Sequence, residues 1–192
     1  MNTLHDRIIE ISKKNKMAHL GSNLTSVNII DEIYSIKKPD EPFVLSSGHA
    51  GLALYVVLEK YYNFDAEYLY CKHGTHPHRD LDDKIYCSTG SLGMGLGIAL
   101  GMAMADRTKN VYCLISDGEC YEGLIYETAN VMRRYKVTNL KIYLNYNGMS
   151  AYAHIESWML SNIKRLIPFL TVRKTDVINY GLKGLSAHYI VL

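Results

Sequence analysis

Residues 110–119 read NVYCLISDGE and residues 140–148 read LKIYLNYNG. Asn110 to Ser116 reads as a strand, nearly all apolar, the pattern of a strand buried on both faces of a parallel sheet. Asp117-Gly118-Glu119 breaks that run, and residues 120–135 have helical spacing. Leu140 to Leu144 is the next apolar strand, and Asn145 to Ser150 is polar and turn-like. A strand, a helix and a second strand in this order predict two parallel strands joined by a crossover helix.

The same alternation extends outward. Upstream, Leu4, Ile8, Ile9 and Ile11 recur at helical spacing over residues 3–17. A small-residue turn, Ala18 to Asn23, leads into a helix over 25–36 that Pro39 and Pro42 bring to an end. Phe43 to Ser46 is a short strand, Ser47-Gly48-His49 a turn, and 50–62 a helix. Residues 63–88 lack clear periodicity and read as a loop region with one short helix. Thr89 to Asp106 is rich in Gly and Ala, so a helix there needs close backbone packing to offset the glycines. Downstream come a helix near 156–166, a strand near 167–172 and a tail ending Ala187 to Leu192. The fold class is α/β, a parallel sheet sandwiched by helices, in a single domain over 1–192.

Composition narrows the function classes. The 192 residues carry 21 Lys+Arg against 19 Asp+Glu, a net charge of +2. That balance offers no electrostatic footprint for nucleic acid. No apolar run reaches the roughly 18 residues of a membrane span, and the amphipathic N-terminus is not a signal peptide. Cys71, Cys87, Cys113 and Cys120 form no CxxC pair, which argues against zinc and for reduced thiols in a cytoplasmic protein.

Ligands of open parallel sheets bind at the carboxyl ends of the strands, where Asp117 and Asn147 both fall. A carboxylate and an amide oxygen suit Mg²⁺ or Ca²⁺, with phosphate oxygens and water completing the shell. Gly118 would let a phosphate approach free N–H groups. A plainer reading makes Asp117 a helix cap and Asn147-Gly148 a turn. Residues 89–95, TGSLGMG, fit neither the dinucleotide fingerprint nor a P-loop; alone they read as a tightly packed helix start. His19, His49, His76 and His78 lie in turns of small residues, where imidazoles could exchange protons near neutral pH. There is no GxSxG nucleophile elbow.

Together these blocks resemble the thiamine-diphosphate-binding N-terminal domain of the transketolase family, over residues 15–152 and more weakly beyond. Ala18-His19-Leu20-Gly21 is similar to the family's early His-Pro-Gly turn. Residues 43–50, FVLSSGHA, resemble its L-S-x-G-H-A block. Residues 88–95, STGSLGMG, resemble its T-G-S-L-G-x-G block. Ser116-Asp117-Gly118-Glu119, Glu122-Gly123 and Asn147-Gly148 resemble its G-D-G…N-G signature. Ser116 stands for the first glycine, Leu20 for a proline, and Thr75 for the glycine before His76-Pro77.

The resemblance implies roles by position. Asp117, Asn147 and the Met149 carbonyl would hold Mg²⁺ or Ca²⁺, with Asn145 a rival ligand. Gly118 and Glu119 would lie at the diphosphate, and Gly90, Ser91 and Leu92 at the aminopyrimidine. His19, His49 and His76 would face substrate and cofactor, and Glu122 would couple paired sites. The family's second domain, which activates the aminopyrimidine, has no room in the last 40 residues. The resemblance therefore implies a separate pyrimidine-binding subunit, in a heterodimer or heterotetramer acting on sugars or sugar phosphates. The implied reaction is transfer of a two-carbon ketol unit from a ketose to an aldehyde. Thiamine-diphosphate-dependent decarboxylation of a 2-oxoacid and a non-catalytic binding module are the alternatives.

Overall fold

A computed structural model describes residues 3–176 and 190–191; of the tail 187–192, only Ile190 and Val191 lie within it. Four strands form one fully parallel sheet: β1 (Phe43–Leu45), β2 (Val111–Ser116), β3 (Leu140–Tyr146) and β4 (Thr171–Lys174). Their order across the sheet is the order in the chain. Val44 sits opposite Cys113, Leu114 opposite Tyr143, and Leu144 opposite Val172.

Successive strand residues point to opposite faces, and each face builds its own core. Phe43, Leu45, Tyr112, Leu114 and Tyr143 meet α1 (Leu4–Asn15), α2 (Leu20–Ile36), α3 (Gly51–Tyr62) and α4 (Ala66–His73). Val44, Val111, Cys113, Ile115, Ile142 and Leu144 meet α5 (Met94–Ala105), α6 (Gly123–Arg134) and α7 (Ser157–Leu166). Helices therefore cover both sides of the sheet, which is why β2 is apolar along its length.

Local chemistry sets several boundaries. Thr3 and Asp6 form a reciprocal capping box at the start of α1. Asp65 caps α4 by accepting from the Glu67 and Tyr68 amides. The glycine-rich α5 forms because its first turn lies against the end of β1. A Cβ on Gly95 would come within 2.5 Å of Ser46 Cα.

Three boundaries differ from the sequence expectation. The helix expected from residue 25 begins at Leu20. Its small residues pack the helix close to the sheet: the Thr25 and Ser26 hydroxyls accept from Asn145 Nδ2 of β3 at 2.9 and 3.1 Å. The helix expected from residue 120 starts at Gly123, after a 3-10 turn over Gly118–Tyr121. The last strand is Thr171–Lys174, because Ile167 and Leu170 instead turn their side chains into the core under α7. Among the described residues, no helix is long and apolar enough to cross a membrane.

Candidate functional site

β2 and β3 end side by side, and the backbone pairing continues one step past the sheet as Asp117 N–H donates to the Asn145 carbonyl at 3.1 Å. The polar residues beyond these strands are thereby held at one edge. A cleft of about 280 Å³ opens there. Its floor is made by Ser116, Gly118, Asn145 and Asn147 from the ends of β2 and β3. One wall carries His19, Ser22 and Ser26 from α2, with Ser47 and His49 from the turn after β1. The other carries His76, Gly90 and Leu92, with Met149 and Ser150 at the rim.

Asp117 is 2% exposed. Its two carboxylate oxygens accept from the Gly118 amide at 3.0 Å and the Gly148 amide at 2.7 Å. Burial pushes its pKa up to about 6, against the pull of those backbone donors. Among the described residues no Lys or Arg forms an ion pair with it. Asp117 itself does not line the cleft but stands behind Gly118 and Asn147; a desolvated carboxylate without a cation is costly, and a divalent ion beside it would supply the missing charge. Asn147 folds back so that its Oδ1 accepts the Met149 amide at 2.9 Å. This sets Asn147 and the Met149 backbone together beside Asp117.

Two further observations fit a bound phosphorylated group. The hydroxyls of Ser47 and Thr89 are buried and have no hydrogen-bond partner among the described residues. Buried hydroxyls are rarely left so. Ser47 lines the cleft and Thr89 precedes Gly90 in its wall. The residues present thus fit a diphosphate with its metal: anionic and amide oxygens for the cation, and the Ser47 and Thr89 hydroxyls as donors for the phosphate.

The structure brings the three expected histidines together. The His19 and His49 rings lie with centroids 5.5 Å apart, tilted by 46°. His19 sits in the left-handed region, φ 61°, as the residue before α2. His76 packs its ring 3.4 Å from where a Gly90 Cβ would stand.

Other expected site residues lie elsewhere. Glu119 does not reach the cleft. Fully buried, its carboxylate accepts from Ser46 Oγ at 2.5 Å, Gly93 N at 2.9 Å, Ser116 N at 2.8 Å and Ser116 Oγ at 3.2 Å. It ties the ends of β1 and β2 to the turn before α5, and that engagement keeps the carboxylate turned away from the cleft. Glu122 is exposed at the start of α6, outside the cleft. Ser91 is exposed, and its carbonyl accepts the Met94 amide at 3.3 Å. Asn145 borders the cleft, but both ends of its amide are engaged. Its Nδ2 donates to Thr25 Oγ1 and Ser26 Oγ, and its Oδ1 accepts the Thr175 hydroxyl at 2.6 Å.

Asn23 is a residue that sequence reasoning passed over. Nearly fully buried, it donates to the His19 carbonyl at 3.0 Å and the His49 carbonyl at 3.4 Å, and accepts the Ala53 amide at 2.9 Å. One side chain thus joins the two histidine turns. No local signal marks it, since its partners lie as far as 30 residues away. His73, Asp80 and Asp83 also converge closely enough to surround an ion. Lys72 Nζ already stands there, 2.8 Å from Asp80 and 2.7 Å from Asp83.

Comparison with known proteins agrees with this geometry. The family described as 1-deoxy-D-xylulose-5-phosphate synthase matches residues 1–168 at its N-terminal portion. An apulose-4-phosphate transketolase subunit from Phocaeicola vulgatus is 34% identical over 173 residues, covering 80% of this chain and 61% of that protein. The 6-deoxy-6-sulfo-D-fructose transketolase subunit SqwG of a Clostridium species is 31% identical over 168 residues, with 77% and 61% covered. The chain therefore spans about three-fifths of the length of these two relatives. The crystal structure of Campylobacter jejuni transketolase shares the fold, with a TM-score of 0.67 at 20% identity over 91% of this chain and 38% of that one. Match, relatives and fold agree, and the chain belongs to the transketolase and 1-deoxy-D-xylulose-5-phosphate synthase family, as its N-terminal diphosphate-binding domain.

Proposed function

We propose that this chain is the diphosphate-binding subunit of a two-chain, thiamine-diphosphate-dependent transketolase-like enzyme. The observation that carries the reading is a cleft at the strand ends lined by Gly118, Asn147 and three histidines, with the buried Asp117 carboxylate held behind it by the Gly118 and Gly148 amides. Asp117, Asn147 and the Met149 carbonyl would hold Mg²⁺ or Ca²⁺. Gly118 would lie against the diphosphate, and Gly90 and Leu92 against the aminopyrimidine. The bound cofactor supplies a nucleophilic carbon able to cleave a ketose next to its carbonyl. His19, His49 and His76 would hold substrate hydroxyls and take or return their protons at the imidazole nitrogens. The walls of the cleft would exclude water from one side of the substrate.

A separate pyrimidine-binding chain would close the other side, giving a heterodimer or heterotetramer. The two similar proteins named as subunits support this division. Residues 1–192 would then act as one domain in the cytoplasm, where its free thiols stay reduced. The acceptor and donor would be sugars or sugar phosphates.

A second reading keeps the cofactor and changes the reaction to decarboxylation of a 2-oxoacid; the matched family, described as 1-deoxy-D-xylulose-5-phosphate synthase, favours it. Calorimetric titration of thiamine diphosphate with Mg²⁺, on the chain alone and with a candidate partner, tests the site. Metal-dependent binding in the mixture is expected; no binding in either preparation refutes the reading. Turnover of the loaded complex with ketose plus aldehyde, against pyruvate plus aldehyde, then separates the two reactions.

A further inference from the structure

His76 reaches the cleft on a hairpin whose far end is clamped to another helix. The hairpin runs from about residue 75 to residue 90. Asp80 and Ile85 exchange both backbone hydrogen bonds at 2.8–2.9 Å and close its tip. Arg79 N–H donates to Ser88 Oγ at 2.7 Å, and Thr89 N–H to the Pro77 carbonyl at 3.2 Å, joining its legs. His76 and Gly90 stand at its base and line the cleft.

Two glycines let the base dock over the His49 turn. A Cβ on Gly48 would lie 2.7 Å from the Thr89 backbone, and one on Gly51 2.4 Å from the Thr75 carbonyl. Real side chains essentially never approach so closely, so each leg crosses bare backbone on either side of His49.

The tip is held by charge. The Asp83 carboxylate, 9% exposed, lies 2.7 Å from His73 Nε2 and 2.7 Å from Lys72 Nζ. Lys72 also reaches Asp80 at 2.8 Å. Both Lys72 and His73 belong to the last turn of α4, so one end of that helix grips the loop. The Tyr55 hydroxyl donates to the Gly74 carbonyl at 3.0 Å and fixes the junction to α3.

We infer that Asp83 is a positioning residue: through Lys72 and His73 it sets the hairpin, and the hairpin sets His76 over the cleft. Placement of His76 against substrate rests on the function proposed above; the clamp itself does not. Misplacing a catalytic group by about 1 Å can cost on the order of 10²-fold in rate, so a contact distant from the chemistry can govern it.

Two measurements test this. Hydrogen exchange on the full chain compares the wild type with Asp83→Ala and Lys72→Gln, the second at an exposed residue whose loss leaves the core intact. Exchange of the Arg79, Ile85 and Thr89 amides should rise roughly tenfold, as expected when charge-assisted bonds are lost, while β2 and α3 stay unchanged. Unaltered exchange at Thr89 in both variants overturns the clamp. In the assembled enzyme, saturated with thiamine diphosphate, kcat per cofactor-loaded site should fall in Asp83→Ala. Adding Asp83→Ala to His76→Ala should produce little further loss, because both act through one group. Losses that multiply in the double variant overturn action through His76. A wild-type complex that turns over no ketose or pyruvate refutes the proposed function, and the exchange result still decides the clamp.

Discussion

Asp117 and Glu119 are two residues apart and both buried, yet their surroundings assign them different work. Asp117 accepts from the Gly118 and Gly148 amides and has no paired cation among the described residues; Glu119 has four donors and faces the protein interior. Removing the Asp117 carboxylate also removes its burial penalty. Asp117→Ala also strands the Gly118 and Gly148 amides, so the two effects oppose, and the unfolding midpoint of the ligand-free chain should fall less than in Glu119→Ala. Cofactor affinity in the complex should fall by more than the roughly 100-fold typical of losing an outer-shell partner of a metal. Thermal denaturation alongside calorimetry checks both halves, and an unaltered affinity would remove Asp117 from the metal site. Glu119→Ala should cost more stability. It strands the donors of Ser46, Gly93 and Ser116 in a dry interior, at about 1–3 kcal/mol for each unsatisfied group. Urea unfolding of the isolated chain should show a loss of at least about 3 kcal/mol.

At the scale of an element, α5 shows how packing can overrule propensity. Its glycines each disfavour a helix by about 1 kcal/mol relative to alanine. Gly95 lies against β1, with a hypothetical Cβ 2.5 Å from Ser46 Cα, while a Cβ on Gly101 would meet nothing within 4 Å. Gly101→Ala should stabilise the isolated chain by about 0.5–1 kcal/mol. Gly95→Ala should destabilise it by about 1–3 kcal/mol, because overpacking outweighs the propensity gain. Denaturant midpoints of the two variants give the comparison directly, and equal signs would contradict the close approach of α5 to β1. The same logic explains α2. Its Gly21-Ser22-Asn23 start reads locally as a turn, but it lies where small residues let a helix bring Ser22 and Asn23 beside His49.

For the whole molecule, the cleft sits at the edge of a sheet whose two faces are already covered by helices. Among the described residues the helices leave the cleft open at that edge, where the proposed second chain would enclose a bound ligand. If the second chain completes the site, cofactor and Mg²⁺ should stabilise the mixture and not the separate chain. At a ligand concentration of 100 times Kd that linkage amounts to about 2.7 kcal/mol. Melting curves of chain, partner and mixture, with and without cofactor, read this out. An equal upward shift of the chain alone would show that it holds the cofactor unaided.

The α/β class, the parallel strands at 43–46, 110–116 and 140–144, and the clustering of Asp117 and Asn147 at strand ends were legible in the amino-acid order. Apolar runs, helical spacing and the breaks between them are properties of neighbouring residues, and the pattern of short blocks carried the family. The roles inside the site were not legible, because long-range contacts decide them. Ser46 reaches Glu119 across 73 residues and turns that carboxylate inward. Asn145 meets Thr25 across 120 residues, which engages its amide and leaves Asn147 at the cleft. Gly148 meets Asp117 across 31 residues, and Asp83 and Lys72 anchor a hairpin that looked structureless. The local sequence determined which elements form and which chemistry they carry. Only the tertiary structure decided which polar groups are spent on one another and which remain to hold a ligand, since a buried side chain's partners depend on segments brought together by folding.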